Sequence, residues 1–216
     1  MEKYKVGVIG GTGMVGQRFV TLMENHPWFQ LTVIAASPRS AGKTYEEAVG
    51  SRWAMETPMP EEAKGILVKN AVDDVAEIAS QVDFVFSAVD MKKEEIRALE
   101  ERYAKAECPV VSNNSAHRWT EDVPMVVPEL NAAHIEVIPA QRARLGTKRG
   151  FIAVKSNCSI QSYAPLLTPL MLAGYDVERV LVCTYQAISG AGKTFERWPE
   201  MVDNVIPYIG GEEEKS

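Results

Sequence analysis

A chain of 216 residues fits one large or two small domains and is long enough to bury a proper core. Its 46% hydrophobic and 24% charged residues are soluble-globular in composition, and a formal net charge of −6 argues against a general nucleic-acid binder. Three widely spaced cysteines make neither a disulfide framework nor a zinc knuckle and suit a reducing cytoplasm; no signal peptide and no membrane span is expected.

Tyr4 to Ile9 predicts a buried strand, Val15 to Glu24 a helix and Leu31 to Ala36 a second strand. Between the first two runs Gly10-Gly11-Thr12-Gly13-Met14-Val15-Gly16, where Gly11, Gly13 and Gly16 satisfy G-x-G-x-x-G in a strand–turn–helix setting. Glycine lets such a turn tighten and lets backbone N–H groups approach a pyrophosphate at the helix N-terminus. Gly10, Gly11, Thr12, Gly13, Met14 and Val15 are therefore candidate cofactor contacts; the alternative is a tight turn with no ligand.

The end of the second strand discriminates between dinucleotides. An NAD site usually places a carboxylate there for the ribose hydroxyls. Here Ser37, Arg39, Ser40 and then Lys43 follow the strand, with no carboxylate before Glu46. A hydroxyl and a guanidinium suit a 2′-phosphate, which favours NADP over NAD, against the alternative of an ordinary solvated loop.

Further along, Ile66 to Lys69 predicts a short strand and Asp73 to Ser80 a short acidic helix. Asp83 to Val89 is a clearer strand, and small residues at its end, Ser87 and Ala88, leave room for a ligand. Lys92 to Ala106 predicts an amphipathic helix and Cys108 to Ser112 the next strand. This alternation, continuing to about residue 155, implies a Rossmann-type doubly wound parallel sheet of the α/β class.

Asn113 to Arg118 follows as a polar loop on the ligand side. Arg118 is a candidate anion binder or a surface salt-bridge former, and His117 a neighbour without chemistry. Val126 to Asn131 reads as a strand and turn. Residues 141–150 are basic and glycine-punctuated, and read as a solvated loop.

Phe151 to Val154 predicts a short buried strand and Ser159 to Ala173 a helix, although Pro165 and Pro169 each remove a backbone donor. Cys158 then stands at the strand-to-helix junction, where helix N–H groups and dipole favour a thiolate. Those groups, with the Asn157 amide, would hold a developing oxyanion. The competing reading is a small buried hydrophobe. Val177 to Gln186 is β-rich and leads into Ser189-Gly190-Ala191-Gly192-Lys193-Thr194. That run imitates the end of a P-loop, but its eight-residue frame begins at Ala187 and not at glycine.

Together these stretches resemble aspartate-semialdehyde dehydrogenases of the branch found in archaea, fungi and some bacteria. The carriers are Gly10 to Gln17, Ser37 to Lys43, Asn113 to Arg118 with Val127-Pro128-Glu129, Ser156-Asn157-Cys158-Ser159, Tyr185 to Gly192 and Asn204 to Lys215. The resemblance spans essentially the whole chain. It implies an NADP-binding Rossmann domain over residues 1–155, and over 156–216 the incomplete start of an α+β catalytic and dimerisation domain.

The activity implied is a phosphate-dependent, NADPH-linked interconversion of L-aspartyl-4-phosphate and L-aspartate 4-semialdehyde, toward lysine, methionine and threonine. By similarity Cys158 is the nucleophile that carries a thioester, and Gln186 orients the substrate beside it. Arg118 and Asn157 match substrate- and phosphate-binding positions, and Ser189 and Gly190 approach the cofactor. Glu212 and Lys215 match a pair meeting the substrate ammonium and the phosphate, with Glu213 or Glu214 as alternatives to Glu212. A small-molecule substrate, inorganic phosphate and a homo-oligomer, dimer or tetramer, are the implied partners; nucleic acid and membrane are not, and no metal is expected.

Family members continue through a carboxylate-binding arginine, a catalytic histidine and a returning helix. His26, His117 and His134 do not lie in the matching motif, so the sequence reads as a truncated member without its general acid/base. A malonyl-CoA reductase on the same scaffold and a non-catalytic NADP-binding fragment are the alternatives. An N-acetyl-glutamyl-phosphate reductase fits the cysteine's surroundings less well.

Overall fold

The alternating pattern resolves, in a computed structural model, into a parallel sheet whose carboxyl edge carries the chemistry-bearing loops. The structure describes residues 2–191 and 194–208. By its internal contacts the chain divides into two units, Met1–Lys155 and Ser156–Ser216.

In the first unit seven strands pair in the order β3-β2-β1-β4-β5-β7-β6, every pair parallel. They are β1 Tyr4–Ile9, β2 Phe29–Ala36, β3 Lys69–Asn70, β4 Phe84–Ser87, β5 Val110–Ser112, β6 Met125–Val126 and β7 Ile152–Lys155. Helices α1 Met14–Met23, α2 Tyr45–Val49, α3 Glu61–Lys64, α4 Val75–Gln81, α5 Lys93–Lys105, α6 Pro128–Asn131 and α7 Ile138–Leu145 connect them. The order reverses between β1 and β4, which places the crevice for a ligand outside the carboxyl ends of those two strands.

Side-chain alternation splits the core between the two faces. Val8, Val20, Met23, Leu31, Ile34, Tyr45 and Ala63 pack together on the side of α1, α2 and α3. Ile9, Val33, Val75, Ile78, Ile96, Leu99, Tyr103 and Leu145 pack on the side of α4, α5 and α7. Leu31 and Ile34 share a face despite their odd spacing, because the β1–β2 register skips Thr32: Val6 pairs with Leu31 and Gly7 with Val33. One extra residue in a strand resets which face its successors point to.

Two local expectations need correction. Residues 141–150 are not a loop throughout, since α7 runs to Leu145 and ends at Gly146 with φ of +73°. Gln141 anchors that helix, fully buried, donating to the Asp122 and Ile152 carbonyls and accepting from the Ile152 N–H.

The second unit begins with Ser156 and contains α8, Ile160–Leu172, which accommodates both Pro165 and Pro169. Val177 to Gln186, expected as a strand, is irregular, with Leu181 91% and Tyr185 86% exposed. Among the described residues no strand lies beside this segment, and a lone strand leaves its backbone groups unpaired. The 3₁₀ turn Ile188–Ala191 follows it.

Candidate functional site

At the carboxyl end of β1 the chain folds back on itself so tightly that side chains are excluded. Gly10 has φ of +84°, and a Cβ there would lie 2.3 Å from the Ala88 carbonyl oxygen. A Cβ at Gly16 would lie 2.2 Å from the Gly10 carbonyl oxygen. The Gly13 N–H donates to the Gly10 carbonyl at 3.1 Å, closing the turn. Gly13 is also the N-cap of α1 and offers no side-chain cap. The leading N–H groups of α1, including those of Met14 and Val15, therefore have neither an intrahelical acceptor nor a capping side chain, and the dipole adds positive character. This is a ready seat for an anion.

Two residues left without a role by sequence reasoning hold the turn in place. Gln17, 2% exposed, donates to the Thr12 and Arg52 carbonyls at 3.1 and 3.0 Å and accepts from the Ala54 N–H at 2.8 Å. Buried Tyr45 donates its hydroxyl to the Gly11 carbonyl at 2.9 Å, and burial pushes its phenol up, so it stays a donor. The signals for them were a polar residue on the buried stripe of α1 and the Thr44–Glu47 capping box that starts α2 at Tyr45.

Two neighbouring clefts open against the turn. The first, about 440 Å³, is lined by Thr12, Gly13, Ser37, Arg39, Ser40, Lys43, Ala48 and Arg52. Three of its side chains are cationic and none is a carboxylate, the reverse of a site for bare ribose hydroxyls. The second, about 260 Å³, shares Thr12, Gly13 and Ser37 and is otherwise mostly apolar, with Ala36, Ala71, Val72, Ala88 and Val89 in its walls. A slot of that character suits a flat ring system. The pair, joined at the glycine turn, fits a phosphorylated adenosine with its pyrophosphate on α1.

Of the sequence-predicted cofactor residues, Gly10, Thr12, Gly13, Ser37, Arg39, Ser40 and Ala88 come together in these clefts. Gly11 lies behind them, its carbonyl taken by Tyr45. Ser87 is fully buried, and its hydroxyl accepts from Asn114 Nδ2 at 3.1 Å.

That bond belongs to a second centre, at the ends of β4 and β5. The Asn113 N–H donates to the Ser87 carbonyl and the Asn114 N–H to Ser112 Oγ. Arg118, half-buried, donates from Nε to the Lys155 carbonyl at 3.1 Å, a bond that orients its guanidinium. Burial lowers the pKa of His117 below its ordinary value, against an opposing pull from Glu100.

In the second unit, Cys158 is exposed, unlike buried Cys108, whose thiol burial pushes up to about 12. Asn157 Oδ1 accepts from both the N–H and the hydroxyl of Ser159 at 2.8 Å, an Asx turn with Cys158 at its middle just ahead of α8. Gln186 packs on the 3₁₀ turn, where a Cβ at Gly190 would come within 2.6 Å of its side-chain nitrogen. Ser189 and Gly190 are exposed. Glu212 and Lys215 lie outside the described residues. Among the described residues no cluster of three or more potential metal ligands occurs, and no helix is long and apolar enough to cross a membrane.

The sheet order, the glycine turn and the paired clefts define a Rossmann-type dinucleotide-binding protein. Residues 5–138 match the family model for the semialdehyde dehydrogenase NAD binding domain, and the chain belongs to that family. Its relatives include the aspartate-semialdehyde dehydrogenase of Aspergillus fumigatus, 42% identical over 99% of this chain and 57% of the relative. That of Methanothermobacter thermautotrophicus is 42% identical over 97% of this chain and 58% of the relative. In structure the chain is similar to aspartate semialdehyde dehydrogenase with NADP from Candida albicans, with a TM-score of 0.83 and 36% identity over 99% of this chain and 58% of that one. The chain thus spans a little over half the length of these relatives.

Proposed function

We propose that this chain supplies the NADP-binding unit and the nucleophilic cysteine of an aspartate-semialdehyde dehydrogenase. The observation that carries the reading is exposed Cys158, held in an Asx turn at the head of α8, in a chain whose first unit is a dinucleotide-binding domain. Arg39, Lys43 and Arg52 with Ser37 and Ser40 hold the 2′-phosphate, which selects NADP over NAD. The first-turn N–H groups of α1 hold the pyrophosphate. Bound NADP⁺ supplies the hydride acceptor for the oxidative direction.

The chain's own residues then divide the remaining work. The Cys158 thiolate attacks the aldehyde carbon of L-aspartate 4-semialdehyde, activated by the N-terminal field of α8. The N–H groups there that Asn157 does not take, with the Asn157 amide, hold the oxyanion. Gln186 orients the substrate, and Ser189 and Gly190 border the cofactor. Arg118 binds the phosphate that cleaves the Cys158 thioester to give L-aspartyl-4-phosphate. Glu212 and Lys215 meet the substrate ammonium and the phosphate. The enzyme acts in the cytoplasm as a homo-oligomer.

The test is NADP⁺ reduction by purified chain with aspartate semialdehyde, with and without phosphate, beside Cys158→Ser. Phosphate-dependent turnover lost in the variant is the expected result, with the general acid/base supplied by a group outside the expected histidine motif. No turnover while NADP⁺ still binds would overturn the catalytic part and leave a cofactor-binding unit.

A further inference from the structure

The buried face of α5 carries a charged group that neither the cofactor clefts nor the nucleophile uses. Glu100 is 0% exposed in the core of the first unit, where a carboxylate is costly unless its lone pairs are served. Its Oε1 accepts from Ser112 Oγ at 2.6 Å and from Asn114 Nδ2 at 3.2 Å. Its Oε2 faces His117 Nε2 across 4.0 Å. Among the described residues neither of these two atoms has a hydrogen-bond partner, although both are fully buried. His117 Nδ1 lies 3.2 Å from Thr120 Oγ1; with the hydroxyl donating, the ring proton sits on Nε2 and points at the carboxylate.

One turn earlier on the same helix face, Arg97 Nε donates to the Ala116 carbonyl at 2.6 Å. Arg97 and Glu100 therefore grip the segment 112–117 at Ser112, Asn114, Ala116 and His117, and Arg118 is the next residue. Such a hub is more than packing needs. An apolar residue at position 100 would fill the space without the desolvation cost, so the charge specifies where the loop sits.

We propose that Glu100 and His117 are positioning residues that act through the 112–117 segment to fix the Arg118 guanidinium at the carboxyl end of β5. This rests on the reading of Arg118 as the anion binder. Because the imidazole faces the carboxylate across an unfilled hydrogen bond, proton uptake by His117 draws the ring toward α5 and moves the residue beside Arg118. The other charged groups around the pair are Arg97 and Glu101 of α5, Asp122 of the following loop, and Arg144 of α7, which is paired with both Asp122 and Glu101. Those three form their own ion-pair group, which leaves Glu100 as the acceptor facing His117 Nε2. Burial disfavours the imidazolium, so the transition falls below the ordinary histidine range.

The test follows the Arg118 Nε–H and the His117 ring in ¹H–¹⁵N spectra of the full chain saturated with NADP⁺, which occupies the other cationic cleft. In the wild type, protection of the Arg118 Nε–H is expected to change with pH at the same midpoint as the His117 ring. Glu100→Gln, which keeps the acceptor for Ser112 and Asn114, should abolish that pH dependence with NADP⁺ affinity unchanged. Glu100→Ala should speed Arg118 Nε–H exchange roughly tenfold, the equivalent of losing one buried hydrogen bond. A Glu100→Gln protein with the wild-type pH profile would overturn the proposal, and this variant decides even where Glu100→Ala fails to fold. Sulfate, which does not titrate here, separates the underlying reading: if it fails to shift the wild-type Arg118 signal, the anion role fails, while the positioning role stands or falls on the exchange data.

Discussion

Gly13 and Gly16 are the second and third glycines of the motif, and they do different work. A Cβ at Gly16 would strike the Gly10 carbonyl and the Gly11 Cα, at 2.2 and 2.6 Å, so backbone must move. A Cβ at Gly13 would meet only the Gly10 oxygen, at an ordinary 3.5 Å, and would otherwise stand in the cleft. Gly16→Ala should therefore lower stability by roughly 2–3 kcal/mol, as overpacking does. Gly13→Ala should melt like the wild type but bind NADP⁺ at least about tenfold more weakly, through loss of close approach to the pyrophosphate. Thermal denaturation and a fluorescence titration separate the two; equal melting temperatures for both variants would contradict the geometry.

A second prediction at this scale concerns Glu107, whose carboxylate accepts from the N–H groups of Lys148, Arg149 and Gly150. These bonds hold its pKa down to about 2 from an ordinary 4.5. A depressed pKa means that its stabilisation is complete above about 4.5 and fades as the pH falls toward 2. Glu107→Gln should be less stable than the wild type at pH 7, and the gap should close across that window. A gap independent of pH would show that the carboxylate charge is not what holds the 148–150 turn.

Among the elements, those whose periodicity is supported by burial were legible: β1, β4, α1 and α5 lie within a residue or two of where their apolar spacing put them. Legibility failed where pairing decides. Val177 to Gln186 has the composition of a strand, but strand formation needs a neighbour, and sequence composition cannot supply one. The α7 helix was hidden by its basic residues, because its buried positions are only Gln141 and Leu145, too few to make an apolar stripe. Helix α8 survives two interior prolines, each missing one helical hydrogen bond. Pro165→Ala should therefore stabilise α8 by about 1–3 kcal/mol, seen as slower amide exchange over residues 160–172. Unchanged exchange would mean that the helix is already fixed by something other than its own backbone bonds.

At the scale of the whole molecule, charge shows most clearly what a sequence total conceals. The chain carries a net −6, yet Arg39, Lys43 and Arg52 converge on one cleft beside the glycine turn. Arg39 and Lys43 were readable from their place after β2; Arg52 arrives through a fold-back that only Gln17 reveals, by binding both its carbonyl and that of Thr12. The same limit applied to Glu100, since nothing in the charge pattern of an amphipathic helix says which carboxylate faces inward. The glycine turn and the cationic loop were legible because local spacing sets them. The supports beneath them were not, because those contacts join residues far apart in the chain.

The most direct test of the central claim is calorimetric titration of NADP⁺ and NAD⁺ into the wild type and Arg39→Ala. NADP⁺ should bind the wild type more tightly, and the substitution should weaken NADP⁺ by about 10–100-fold, the worth of charge-assisted hydrogen bonds to a phosphate, with NAD⁺ nearly unaffected. Equal affinity for the two dinucleotides in the wild type, or equal loss of both in the variant, would contradict the assignment of this cleft to the 2′-phosphate.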